Sequence, residues 1–221
     1  ISGTRPPRYS CISVNVGLLT SSGSTPSPSA NPRTSAVFPA PRSPISSSTE
    51  PALNVAALVG HTTLRFAAME ALDRAATDDE RARMGALLEA CMIDGAHGLS
   101  SGLFYEQAFA APAEEVTGLA RIVARHGGVY ATHLRSEMER IIEAMHEAGD
   151  IAFGAGAPLV ISHHKCAGPA NWGRTKETLP LVDALAERQE IALDVYPYVA
   201  GSTVLREDLV DGVIDILITW S

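Results

Sequence analysis

Cysteine is scarce in this chain: there are three, Cys11, Cys91 and Cys166, with no Cys-x-x-Cys spacing. So few thiols, odd in number, argue against a disulfide scaffold and for a reducing, cytoplasmic location. No uninterrupted apolar stretch approaches the ~18 residues expected of a membrane span, and the first residues lack the apolar core of a signal peptide. Basic residues are the minority, 17 against 25 acidic for a net charge of −8. They form no cluster of the kind that tracks phosphates, which excludes the usual signature of a nucleic-acid partner. Length is limiting as well. The 221 residues, 46% of them hydrophobic, can bury one good core, whereas a complete (β/α)8 barrel typically takes about 250 residues and seldom fewer than ~200.

What is present changes character near residue 50. Residues 1–51 are crowded with Ser, Pro, Thr and Arg, and apart from a short run at Ile12 to Leu19 nothing in them is periodic. Such a segment buries too little apolar surface to offset its ordering entropy and is expected to be disordered. Residues 52–221 read instead as a partial metal-dependent barrel, with short apolar runs alternating with amphipathic ones. Strands are expected at Asn54–Gly60, Ala96–Ser101, Val129–His133, Leu159–His163 and Ala192–Tyr196, with a sixth at Val213–Trp220. Helices are expected at Thr63–Ala76, at Thr77–Met92 behind a Thr-x-x-Glu capping pattern, and at Pro112–His126 with Glu114 and Glu115 in its first turn. Two more are expected at Ser136–Ala148, stopped by Gly149, and at Thr175–Arg188. Repeated βα units imply parallel strands and right-handed crossovers, so the fold class is α/β, an incomplete (β/α)8 barrel of about five to six strands.

In such a barrel, polar residues at strand C-termini line the mouth. His61, Ser100, Ser101, His133, Arg135, His163, His164, Lys165, Tyr196 and Tyr198 qualify by position. A neutral imidazole is a natural zinc ligand, and His133 and His163, on successive strands, can converge on one ion. Alternation sends His163 and His164 to opposite faces; His163 is assigned to the mouth, and Lys165 shares its side. His126 and His146 are expected at helix surfaces, His97 in a structural role, and Cys166 as a neutral thiol. Arg135 is left between a site carboxylate and a loop brace.

Four segments then resemble, in order, the motif series of the D-aminoacylases, N-acyl-D-amino-acid deacylases of the amidohydrolase superfamily. They are Gly95-Ala-His-Gly-Leu-Ser-Ser-Gly-Leu-Phe-Tyr105, Gly128-Val-Tyr-Ala-Thr-His-Leu-Arg135, Val160-Ile-Ser-His-His-Lys165 and Asp194-Val-Tyr-Pro-Tyr-Val-Ala-Gly-Ser-Thr203. The resemblance runs from about Val55 onward and covers the middle of such an enzyme. It implies hydrolysis of N-acyl-D-amino acids to a carboxylate and a D-amino acid, with Zn2+ held by one cysteine and two histidines. The histidines match His133 and His163. Lys165, Tyr196 and Ser202 match the groups that contact the substrate carboxylate, and Tyr105 matches an aromatic lining the side-chain pocket.

Three family features are missing from these residues: a His-x-His pair on the first strand, a ligand cysteine in a Gly-x-Cys-Gly setting, and a catalytic aspartate acting as general base. Cys11 lies in the wrong context, and Asp211 and Asp215 precede the position of that aspartate. On an assumed GC-rich codon usage, a one-base frame shift turns a Phe-Ala-Asp segment into the Ser-Pro-Ile found at Ser43–Ile45. The same shift turns Ser13–Gly17 into Gly-Gln-Cys-Gly. The expectation is therefore that residues before about Ala52 are frame-shifted and that the chain is an inactive fragment. Two alternatives stand beside it: an amidohydrolase acting on cyclic amides, and a non-enzymatic half-barrel that self-associates through exposed strand edges.

Overall fold

The computed structural model describes residues 56–198 and 200–203. The expectations for residues 1–51 and for a strand at Val213–Trp220 lie outside them. Five strands form one sheet in the order β1-β2-β3-β4-β5: β1 Leu58–Gly60, β2 Gly98–Gly102, β3 Val129–His133, β4 Leu159–Ile161 and β5 Ile191–Leu193. Every neighbouring pair is parallel and consecutive in sequence. Helices fill the connections, α1 His61–Ala68 and α2 Asp78–Ile93 between β1 and β2, α3 Glu106–Phe109 and α4 Ala113–Arg125 before β3, α5 Ile141–Ala155 before β4, and α6 Thr175–Ala186 before β5. This is the singly wound strand order of a barrel wall.

The sheet's two faces differ in the way its alternation requires. Leu99, Tyr130, Leu159 and Ile161 are buried with Val116, Leu119, Met145 and Ile151 of the helices in one core, and side chains one residue along point to the other face. Gly98 is needed where β2 meets β3, because a Cβ there would fall 2.0 Å from the Val129 carbonyl oxygen.

Where local chemistry decides, expected and observed elements coincide. Thr77 caps α2 with a complete capping box closed by Glu80, followed by Asp78 and Asp79 in the first turn. β3 matches its expected span, and α4 begins one residue later than expected, with Glu114 and Glu115 in its first turn.

Elsewhere tertiary contacts move the boundaries. Helix α1 stops at Ala68, not Ala76, because the Arg65 guanidinium takes the Leu72 and Arg74 carbonyls and Glu115 accepts the Ala76 N–H, folding residues 69–76 back as a loop. Helix α5 begins five residues later than expected, ends seven later and passes through Gly149. That glycine is not a stop; its bare Cα lets α5 close on α6, and a Cβ there would meet Leu185 at 2.9 Å. The stop is Gly156, whose φ of 70° is the left-handed cap conformation. β4 and β5 end at Ile161 and Leu193, shorter than the expected Leu159–His163 and Ala192–Tyr196. The chain leaves the ladder there to build the site.

Candidate metal centre

β3 delivers His133 as its last residue, and the segment after β4 delivers His163 beside it. His133 Nδ1 and His163 Nε2 face each other at 3.0 Å, with ring centroids 4.6 Å apart. The backbone of His163 is in the left-handed region, φ 40°, where a residue with a Cβ sits only when its surroundings hold it there. Its holder is Asp194, just past β5. The Asp194 carboxylate accepts the His163 N–H at 2.6 Å, while the Asp194 carbonyl accepts the His164 N–H at 2.8 Å. This kink replaces simple strand alternation in sending His164 the opposite way, where it is buried with Nε2 2.9 Å from the Thr178 hydroxyl.

Lys165 returns to the histidine side. Its Nζ lies 2.6 Å from Glu137 Oε2, 3.0 Å from His163 Nδ1 and 5.6 Å from the centre of the Tyr196 ring. Tyr196 stacks loosely on the exposed Tyr198 and stands 6.5 Å from the His163 ring. Ser202 is exposed and follows Gly201, at which a Cβ would lie 3.5 Å from the Tyr196 hydroxyl. On the other flank, Phe104 and Tyr105 pack on His133 at ring distances of 5.3 and 5.2 Å, and Tyr105 closes over Gly102 where no Cβ would fit.

Electrostatics favour a metal-ready state. Burial lowers the His133 pKa to about 4, outweighing the attraction of Glu137, so the imidazole is neutral at pH 7 with a lone pair to offer. Burial opposes ionisation of Glu137, yet the hydrogen bond with His163 and the hydrogen bond and charge of Lys165 hold its pKa below the ordinary carboxylate value. One ligand atom from each of His133, Glu137 and His163 can be chosen within 4.8 Å of one another. Two nitrogens bound to one tetrahedral zinc at about 2.0–2.1 Å stand roughly 3.3 Å apart. The observed separation is within a few tenths of an ångström of that, so these residues fit a zinc ion.

No family model matches the chain, but individual relatives do. The D-aminoacylase of Alcaligenes xylosoxydans xylosoxydans is 49% identical over 172 residues, 78% of this chain and 36% of the relative. The N-acyl-D-aspartate deacylase of the same organism is 48% identical over 174 residues, 78% of this chain and 35% of the relative. Over the matched portion the chain belongs to the D-aminoacylase family. It spans about a third of the length of those curated relatives. Solved structures agree: a D-aminoacylase described as defining a novel subset of amidohydrolases superposes with a TM-score of 0.67 at 47% identity, covering 73% of this chain and 32% of that one. An N-acyl-D-glutamate deacylase from Bordetella bronchiseptica, complexed with zinc and a phosphonate mimic of the tetrahedral intermediate, superposes with a TM-score of 0.65 at 44% identity, covering 67% and 31%.

Several strand-end residues do not join the His133–His163 pair. His61 is wholly buried against Glu115, with Nε2 2.9 Å from its carboxylate. Ser101 points into the helix-side core and bonds the Tyr130 and Thr132 hydroxyls at 2.8 Å. Arg135 braces a loop: it grips Glu147 and donates to the Phe109 and Ala111 carbonyls. His126 and His146 are exposed, His126 pairing with Glu89, and burial raises the Cys166 thiol pKa. Glu137 and Asp194 are the site residues that sequence reasoning missed. Glu137 follows His133 by four positions but reads as the first turn of a helix that in fact starts at Ile141.

Among the described residues no helix is long and apolar enough to cross a membrane.

Proposed function

We propose that residues from about 52 onward are the metal- and carboxylate-binding part of an N-acyl-D-amino-acid deacylase, a zinc hydrolase that converts its substrate to a carboxylate and a free D-amino acid. The observation that carries this is the facing pair His133 Nδ1 and His163 Nε2 at 3.0 Å with the Lys165 ammonium beside it. His133 and His163 would hold the zinc, which when bound polarises the scissile carbonyl and activates a water. Lys165 supplies the cation for the substrate carboxylate, Tyr196 and Ser202 supply hydroxyl donors, and Tyr105 bounds the side-chain pocket. Phe104 and Tyr105 shield His133 from water on one side, which strengthens the electrostatic contacts inside.

The family's ligand cysteine and its general-base aspartate have no match in their proper settings among these 221 residues. The chain by itself is therefore proposed to bind but not to turn over substrate, since loss of several essential groups together costs many orders of magnitude. Residues 1–51 are proposed as a separate low-complexity or frame-shifted segment. The sparse cysteines favour the cytoplasm. Self-association through strand edges is proposed as the partner interaction beside these readings.

The test is calorimetric titration of N-acetyl-D-methionine into the zinc-supplemented chain, alongside an assay for free D-methionine. Zinc-dependent binding weakened at least tenfold by Lys165→Ala, without product release, is expected. Binding indifferent to Lys165, or robust turnover abolished by His163→Ala, would contradict the reading.

A further inference from the structure

The two imidazoles differ in which nitrogen they turn inward. His133 presents Nδ1 and His163 presents Nε2 to the 3.0 Å gap between them. The outward nitrogens both meet one carboxylate: His163 Nδ1 is 3.1 Å from Glu137 Oε1, and His133 Nε2 is 3.7 Å from Glu137 Oε2. His133 Nε2 is buried and without a hydrogen-bond partner at that distance.

Proton counting gives this arrangement its meaning. Two neutral imidazoles carry two N–H protons over four nitrogens. The close inner contact requires one of them to lie in the gap, leaving one for the outward nitrogens. A cation in the gap needs a lone pair from each inner nitrogen, so both protons must then sit outward, on His133 Nε2 and His163 Nδ1. One carboxylate lies beside both: Oε1 is within reach of His163 Nδ1 at 3.1 Å, and Oε2, at 3.7 Å from His133 Nε2, must close by about half an ångström to accept its proton.

We propose that Glu137 is a positioning residue, the shared outer acceptor that fixes both ligand histidines in the tautomers a divalent metal requires. It rests on the metal-binding reading above and deepens it. Glu137 is suited to the task because it is 91% removed from solvent at its side chain and its loop, residues 136–140, is tied to the far side of the site by the Ala167 N–H donating to its carbonyl at 2.7 Å. Lys165 contacts the same carboxylate. When His163 Nδ1 carries its proton it no longer accepts from Lys165, so the ammonium gains a free donor on the same event that seats the metal. Glu137 thereby couples metal seating to the availability of the carboxylate-binding cation.

The experiment uses the full chain labelled with 15N at histidine, stripped of metal and titrated with Zn2+. Long-range 1H–15N correlation identifies the protonated nitrogen of each ring. With zinc bound, His133 protonated at Nε2 and His163 at Nδ1 are expected, and Glu137→Ala should weaken zinc binding about 10- to 100-fold. Glu137→Gln, which keeps one acceptor but not two, should fall between the parent and Glu137→Ala. Its Co2+-substituted absorption spectrum should match that of the parent, because no ligand is lost. The opposite tautomer on either ring, or zinc affinity unchanged in Glu137→Ala, overturns the proposal while leaving the metal site standing. A Co2+ spectrum altered by Glu137→Gln makes Glu137 a direct ligand and overturns it too. Failure of the parent chain to bind zinc overturns the metal-site reading and this inference together.

Discussion

The molecule contains two clusters of similar make-up, each built on a glutamate that joins histidine to a cation, one histidine and an arginine in the first, two histidines and a lysine in the second, and they do opposite things. At the end of β1, Glu115 receives His61 at 2.9 Å, Arg65 at 2.6 Å and the Ala76 N–H at 3.1 Å, and the His61, Arg65 and Glu115 side chains are wholly buried. Arg65 also donates to the Gln107, Leu72 and Arg74 carbonyls. That cluster pins α1, α4 and the loop between α1 and α2. Beyond β3 and β4, Glu137 serves His133, His163 and Lys165, whose side chains are 14%, 33% and 29% exposed. Its inner nitrogens face each other and its cation is reachable from solvent. Residue type and strand-end position do not separate a brace from a site; access from solvent does.

The comparison breaks most visibly at Glu115. Glu115→Ala would leave the Arg65 charge buried with carbonyls only, a loss of about 3–5 kcal/mol of stability. Urea unfolding followed by circular dichroism measures it, and a change below 1 kcal/mol would remove the brace from the account.

Acid sharpens the same contrast. The Glu115 pKa is depressed from 4.5 to about 2: burial opposes the shift, but the hydrogen bonds from His61, Arg65 and Ala76 outweigh it. Its stabilisation is complete above the unfolded value and is lost as pH falls from about 4.5 through 2. His133 is depressed from 6.5 to about 4 by burial. The unfolded chain takes up that proton first, so metal-free stability drops between about pH 6.5 and 4. Each limb is worth on the order of 3 kcal/mol. In unfolding curves from pH 8 to 2, His133→Asn should shrink the upper limb to the share contributed by His164, whose pKa burial also lowers, and keep the lower one. An upper limb left unchanged by the substitution would show that His133 is not responsible for it.

These clusters also mark how far the sequence could be read. β3, the Thr77 cap and α4 were legible because alternation, capping and first-turn acids act within a few residues. The convergence of His133 and His163 was legible from strand ends in successive units, helped by the family motif. His61 was not, because the partner that makes it a brace, Glu115, is 54 residues away. Gly149 reads as a stop by itself and becomes a close-packing point only once α6 lies against it. Glu137 was hidden in what reads as a helix, and Asp194 acts through a backbone kink at His163 that no periodicity announces.

The most direct measurement of the central claim is zinc binding by the metal-stripped chain, set beside the same titration of His163→Ala and His61→Ala. One zinc per chain is predicted, with affinity falling more than about 100-fold in His163→Ala while its unfolding midpoint barely moves. His61→Ala should do the reverse, keeping its zinc affinity and losing stability. Stoichiometric zinc retained by a folded His163→Ala chain would contradict the account.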